Sequence, residues 1–188
     1  MTLKGTIRNC CKTKEGKPFN VRTALPSDAE MILEFNRDIF KEAPFLLTTS
    51  TEFKTTQSQQ EKWLQDILSS EASMAILAEN KDGMIGFLDF QNGKKQRNKH
   101  VGSFGMSVKK EFRNHGIGTA LLNTLFQWAE QNPIIEKINL EVFSDNTSAI
   151  QLYKRLGFEE EGLKRKAIKI SDSHYSDLIV MATFCSKG

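Results

Sequence analysis

The chain has 188 residues, 39% of them hydrophobic and 26% charged, with a formal net charge of +3 at pH 7. This is the composition of a soluble globular protein long enough to bury a sizeable core; the small positive charge fits an anionic small ligand and gives no argument for nucleic acid. No segment approaches a membrane-spanning run, and the start MTLKGTIRNCCKTKEGKPF has no apolar signal core, so a soluble, cytoplasmic protein is expected. The three cysteines, Cys10, Cys11 and Cys185, form no C-x-x-C or Cys/His cluster. They read as idle thiols of a reducing compartment, and no metal site is expected.

Residues 6–24 read as a hairpin, with TIRNCCKT and PFNVRTA flanking Lys14–Lys17, where Gly16 supplies the permissive turn position. Ser27 or Asp28 caps a helix running to about Phe40, with Glu30 in its first turn and Ile32, Phe35 and Ile39 on one apolar face. A loop over 41–56 carries an apolar knot at Pro44–Leu47, and a helix over 57–70 turns Trp63, Ile67 and Leu68 inward. SMAILAE (73–79) and MIGFLDFQ (84–91) are strands around Asn80–Gly83, a strong hairpin signal. The basic run in the polar loop 92–100 reads as a solvated hairpin tip. In the strand that follows, 100–108, Gly102 and Gly105 predict a bulge that splays it from the strand 137–143 and opens a cleft.

A charged turn, Lys109–Arg113, then opens a helix at Gly116 with Ile117, Leu121, Leu125 and Trp128 on one stripe, widened by Leu122 and Phe126 and stopped by Asn132–Pro133. IIEKINLEVF (134–143) is a strand, and Ser144–Asn146 start a helix that ends at Gly157 in a left-handed cap. Residues 158–170 and 175–184 are two final strands around Ser171–His174. No repeat or linker interrupts the chain, so one domain over 1–188 is expected. The pattern predicts an α/β fold: a mixed, mostly antiparallel sheet flanked by helices, with a central βαβ unit over 100–143. Ligands of such sheets gather beyond the carboxyl ends of parallel strands, which puts Val108–Gly118 and Val142–Asn146 on one rim.

On that rim, Arg113, Gly116 and Gly118 form an R-x-x-G-x-G run at a strand-to-helix junction. A helix start offers unpaired N–H groups and partial positive charge, and glycines let a phosphate approach. Leu121 stands where a dinucleotide fingerprint needs its third glycine, and Gly118 is followed by Thr119–Ala120 rather than the Lys-Ser/Thr of a P-loop. Close packing of helix on sheet accounts for the glycines equally well. In NTSAIQLYKRLGF, Asn146 and Tyr153 lie two turns apart on nearly the same helical face. Asn146 can cap its helix or meet a ligand, and Tyr153 can fill the core or offer its hydroxyl to a cleft. Glu141, an acid inside the apolar run INLEVF, is either an outward carboxylate or a catalytic one.

The pairing of VKKEFRNHGIGTALL with LEVFSDNTSAIQLYKRLGF resembles motifs A and B of the Gcn5-related N-acetyltransferases (GNAT). The resemblance follows the element order over about 20–184, is sharpest over 101–162, and leaves 1–17 as an additional strand of the first hairpin. It implies the acyl-CoA N-acyltransferase fold, acetyl-CoA as donor and a primary amine as acceptor. It also implies a pyrophosphate cradle from Arg113, Asn114, His115, Gly116, Ile117, Gly118 and Thr119, a pantetheine-pairing strand end at Met106, Ser107 and Val108, and a pantetheine contact from Asn146. The His115 side chain is expected to face solvent while its backbone serves the loop.

Acetyl transfer makes physical demands that these residues can meet. An amine is mostly protonated at neutral pH and must lose a proton before attack, for which Glu141 is the first candidate, through a water. The oxyanion needs donors, which the 100–108 backbone can supply, and Tyr153 can protonate the leaving thiolate. An acetyl-cysteine route finds no activated thiol. Glu42, Glu52, Asp172 and Asp177 can attract a cationic acceptor, either a small amine or a peptide N-terminus; no membrane or nucleic-acid partner is expected, and the resemblance suggests a homodimer. The competing reading is a non-catalytic acyl-CoA-binding or sensing module on the same fold.

Overall fold

The structure, a computed structural model, describes residues 7–42 and 44–185. In chain order it contains β1 (Arg8–Lys12), β2 (Pro18–Thr23), α1 (Ala29–Glu42), α2 (Gln57–Ser69), β3 (Met74–Asn80), β4 (Gly83–Asn92) and β5 (Val101–Val108). These are followed by α3 (Ile117–Gln131), β6 (Lys137–Phe143), α4 (Thr147–Arg155), β7 (Glu159–Lys169) and β8 (Tyr175–Phe184). All eight strands join one sheet in the order β1-β2-β3-β4-β5-β6-β8-β7. The β5–β6 pair is parallel and the other pairs are antiparallel. This is the expected mixed sheet with its βαβ unit, β5–α3–β6. The first residues of the additional hairpin strand expected over 1–17 lie outside the described residues.

The strands divide the core because successive side chains point to opposite faces. Along β3, Met74, Ile76 and Ala78 join the core under α3 and α4, while Ala75 and Leu77 join the core under α1 and α2. Helix α3 is held by Ile117, Leu121, Leu122 and Leu125, all essentially without solvent contact; each contributes about 1.5–3 kcal/mol of burial. It lies directly on β4 at Gly86, where an added Cβ would come within 3.1 Å of Ile117 and 3.2 Å of Leu121.

Four local expectations change. Ser27 and Asp28 do not cap α1: Pro26–Asp28 form a 3-10 turn before it. The Asp28 carboxylate accepts from the Leu25 N–H at 2.8 Å and from both terminal nitrogens of Arg22 at 2.7 and 2.9 Å, which hold it back from the helix start. In α2, Leu64 and Ile67 point inward and Leu68 is exposed, because the capping box of Thr56 and Gln59 fixes the helix with Leu64 over the core. The strand expected from 134 begins at Lys137, since the Asn132 side chain accepts from the N–H groups of Ile134 and Ile135 and holds them in a turn.

The fourth is the bulge. The β4–β5 register is continuous from Gly86↔Val108 to Asn92↔Gly102, so β5 is regular. Gly102 is glycine because a Cβ there would enter the ring of Phe90, which packs edge-on against Trp128 of α3. The splay from β6 is present, but it arises without a bulge. Pairing with β6 runs from Val101↔Lys137 to Ser103↔Asn139 and stops. At that point the rings of Phe104, Tyr153, Phe158 and Phe126 gather on the α3/α4 face, with neighbouring centroids 5.7–5.9 Å apart.

Candidate functional site

The parting of β5 from β6 leaves backbone groups without a ladder. The Gly93 N–H donates to the Val101 carbonyl and the Lys109 N–H to the Ile85 carbonyl. In an antiparallel pair such bonds recur at alternate residues, so odd-numbered residues of β5 bond to β4. The even-numbered Phe104, Met106 and Val108 therefore turn their N–H and C=O groups toward β6, beyond the last paired residue. The Val108 carbonyl is met by Arg113, whose Nε donates to it at 3.1 Å. Met106 and Val108 thus face the gap with their backbone, whereas Ser107 pairs into the sheet.

At the end of β5 the chain makes a 3-10 turn, Lys110–Phe112, passes through Asn114 at φ 65°, and enters α3 from Gly116 at φ 93°. No side chain caps α3, so the N–H groups of its first turn, Ile117 to Thr119, are left to a ligand or water. The two glycines serve different ends. Around Gly116 nothing approaches an added Cβ within 4 Å. At Gly118 a Cβ would lie 3.2 Å from Leu152 and 3.4 Å from Met106, so that glycine packs α3 against α4 and β5.

A cleft of about 410 Å³ opens here, and Met106, Ser107, Val108, Arg113, Asn114 and Gly116 line it, with Gly118, Thr119, Asn146 and Tyr153. Ile117 is buried and can offer only its N–H. His115 is not on the wall, and its ring does not simply face solvent: Nδ1 lies 2.7 Å from the Glu15 carboxylate in the turn between β1 and β2. That contact holds Glu15 well below the usual carboxylate range, at about 2. From the same turn Lys14 reaches the cleft wall. Pro44, Phe45 and Leu46 close the far side, so the apolar knot read in the 41–56 loop is a wall of the site.

Asn146 is the N-cap of α4; its Oδ1 accepts from the Ala149 N–H at 3.3 Å, leaving its amide N–H groups for a ligand. Two turns on, Tyr153 is 8% exposed and packed edge-on against Phe104 and Phe158. Burial pushes its phenol up to about 12, so it stays protonated across the neutral range.

Glu141 lies on the other face of the sheet. Its neighbours Leu140 and Val142 are buried under α3 and α4, while Glu141 is exposed and ion-paired with Lys164 of β7. Two residues along that face, Phe143 stacks with Phe45 of the cleft wall at 5.9 Å between centroids. Extending the register Ser103↔Asn139 sets Gly105 opposite Glu141 across the gap, and Gly105 pairs on its other side with Asp89. Asp89 was not singled out in the sequence. Burial pushes its carboxyl up, offset in part by Gln91, which donates to it at 3.2 Å, and by its own backbone N–H. Beside this row, the buried Oδ1 of Asn139 has no hydrogen-bond partner. Of the acids expected to attract a cationic acceptor, Glu52 bonds Thr49, Asp172 pairs with Lys169, and Asp177 takes the Lys166 N–H, so these three are engaged locally. Cys10 and Cys11 sit in β1 and do not line the cleft. Among the described residues no helix is long and apolar enough to cross a membrane.

Comparison with known proteins gives this geometry a family. Residues 33–158 match the acetyltransferase (GNAT) family. The L-amino acid N-acetyltransferase AaaT of Escherichia coli is 31% identical over 119 residues, which is 63% of this chain and 73% of that protein. A GNAT-family acetyltransferase from Streptococcus pneumoniae superposes with a TM-score of 0.85 at 24% identity, over 89% of this chain and 99% of its own. A GNAT phosphinothricin acetyltransferase from Sinorhizobium meliloti, solved in complex with acetyl-CoA, superposes at 0.76 with 20% identity, over 89% of each chain. With two thirds of its length inside the family pattern and the parted β5–β6 strands at its centre, the chain belongs to the GNAT family of N-acetyltransferases.

Proposed function

We propose that the protein moves an acetyl group from acetyl-CoA to a primary amine by direct attack, with both substrates bound at once. The observation that carries this is the interrupted β5–β6 ladder, with an uncapped helix start on one rim and Asn146 and Tyr153 on the other. The residues present fit the donor: Gly116 leaves the α3 start open to a phosphate, and Met106 offers unpaired backbone groups to an extended amide-bearing arm. Bound there, acetyl-CoA supplies an activated acetyl group as a thioester. Arg113, Asn114 and the N–H groups of Gly116 to Thr119 hold its pyrophosphate. Asn146 donates to the pantetheine arm. Tyr153, protonated and dry, gives its proton to the departing sulfur.

The acceptor approaches on the opposite face, over Gly105. Asp89 and Glu141 flank that position, and a cationic amine between them meets a carboxylate on either side. Glu141 takes the amine proton through a water; its pairing with Lys164 orients it. The E. coli relative's named activity toward L-amino acids supports an amine acceptor. Much of the rate comes from positioning two substrates across one gap.

A panel of amines assayed for CoA release tests the reading. Turnover with at least one amine is expected, and binding of acetyl-CoA without release across the whole panel would instead support a sensing module. With an active amine in hand, Tyr153→Phe should lower kcat by about tenfold or more and leave the Kd for acetyl-CoA within about twofold. Undiminished turnover would remove Tyr153 as the acid.

A further inference from the structure

The β1–β2 hairpin lies outside the matched family region, 33–158, yet it is tied to the phosphate-binding loop at several points. Its turn is internally braced: Thr13 N–H donates to the Lys17 carbonyl at 2.8 Å, Gly16 N–H to the Thr13 carbonyl at 2.9 Å, and Lys17 N–H to Thr13 Oγ1 at 3.1 Å. The tip then docks on residue 115, where the Lys14 N–H donates to the His115 carbonyl at 3.1 Å and Glu15 meets the His115 ring. Further along, Asn9 Nδ2 donates at 3.2 Å to Thr124, a buried residue of α3. The hairpin therefore runs beside α3 and ends at its amino terminus.

This docking delivers one cation. Lys14 lines the cleft beside Arg113, Asn114 and Gly116, and among the described residues its ammonium has no ion-pair partner. The adjacent carboxylate, Glu15, is instead engaged by the His115 ring at 2.7 Å. A lysine with its backbone pinned, its neighbouring acid occupied and its side chain on the wall of an anion site is a phosphate ligand in waiting.

Resting on the donor assignment above, we propose that Lys14 is a phosphate contact of the coenzyme, held in place by the latch between the β1–β2 turn and His115. The hairpin then serves the donor site as a clamp on its nucleotide end. The shared chemistry is a phosphate dianion or diester; coenzyme A offers two sources, the pyrophosphate and the 3′-phosphate.

Calorimetric titration of the full chain with CoA, dephospho-CoA and phosphate-free acetyl-pantetheine separates them. Lys14→Ala should weaken CoA binding by about tenfold, the scale of one charge-assisted hydrogen bond, and Lys14→Arg should restore most of it. Acetyl-pantetheine should bind wild type and variant alike. An undiminished loss with dephospho-CoA assigns the contact to the pyrophosphate; its disappearance there assigns it to the 3′-phosphate. Glu15→Ala, with the lysine intact, should produce a smaller loss in the same ligands. Equal CoA affinity of wild type and Lys14→Ala would overturn the proposal, as would an equal loss with acetyl-pantetheine, which would mark a general distortion. Absence of CoA binding by the wild type would sink the donor assignment itself.

Discussion

Asp89 is a carboxylate whose surroundings work against its own charge. Burial raises its pKa, and hydrogen bonds from Gln91 and from its own backbone N–H offset only part of that. A folded-state value above the unfolded one means that the folded chain binds more protons in the window between the two. Stability therefore falls as pH rises through that window and stays lowered above it. Asp89→Asn keeps an acceptor for Gln91 and removes the penalty. It should raise Tm at pH 7, by about 2–4 °C for each kcal/mol released, and leave Tm unchanged at pH 3, where the carboxyl is neutral in both states. A variant no more stable than wild type at pH 7 would remove the idea that this carboxylate is held at a cost. Acceptor KM should rise in the same variant if the proposed amine site is right, since one of its walls is lost. In the sequence, Asp89 in GFLDFQ and Glu141 in NLEVF carry the same sign, an acid inside an apolar run. Only Glu141 stood inside a familiar motif, and only the register brings the two to either side of Gly105.

At the scale of the element, the glycines show what one-dimensional reading can and cannot supply. Gly157 was legible because a helix end favours a left-handed residue, and Gly116 because a glycine at a helix start lets a phosphate approach; both take positive φ. Gly102 was not, because its reason is a ring from β4 that crosses beneath it. Gly102→Ala should therefore destabilise the fold by about 1–3 kcal/mol in denaturant unfolding, while the remaining folded protein binds CoA as wild type does. Gly116→Ala should do the reverse: about 1–2 kcal/mol of backbone strain, together with a clear loss of CoA affinity. If the two variants changed stability and affinity in the same proportion, the division of labour between them would be wrong. Most element boundaries followed from periodicity and caps. The start of β6 did not, since the Asn132 turn that delays it depends on a side chain folding back on its own backbone.

For the whole molecule, the βαβ unit and the antiparallel hairpins were readable, but two placements were not. The final strand, β8, inserts between β6 and β7, leaving β7 as an outer edge exposed along nearly its full length. That edge is blunted by Lys164, Arg165, Lys166 and Lys169 and by irregular pairing between Lys164 and Ile168, with Lys166 at φ 50°. The docking of Glu15 on His115, 100 residues apart, likewise has no sequence signature.

The short β5–β6 ladder has a consequence for how the molecule breathes. Three residue pairs join a five-strand plate, β1 to β5, to a three-strand plate, β6, β8 and β7. Cooperative units in proteins tend to separate along their weakest seams; only three ladder pairs cross here beside the shared core under α3 and α4, so the smaller plate should loosen along this seam more readily than the whole chain unfolds. In the proposed complex the donor lies between the plates and acts as the missing rungs. Amide hydrogens of β6 and β8 should then exchange markedly more slowly with saturating CoA than without it, while those of β3, inside the larger plate, change little. Uniform slowing across all strands would mean that the sheet opens as a single body. Filling the seam and completing the sheet are then one event.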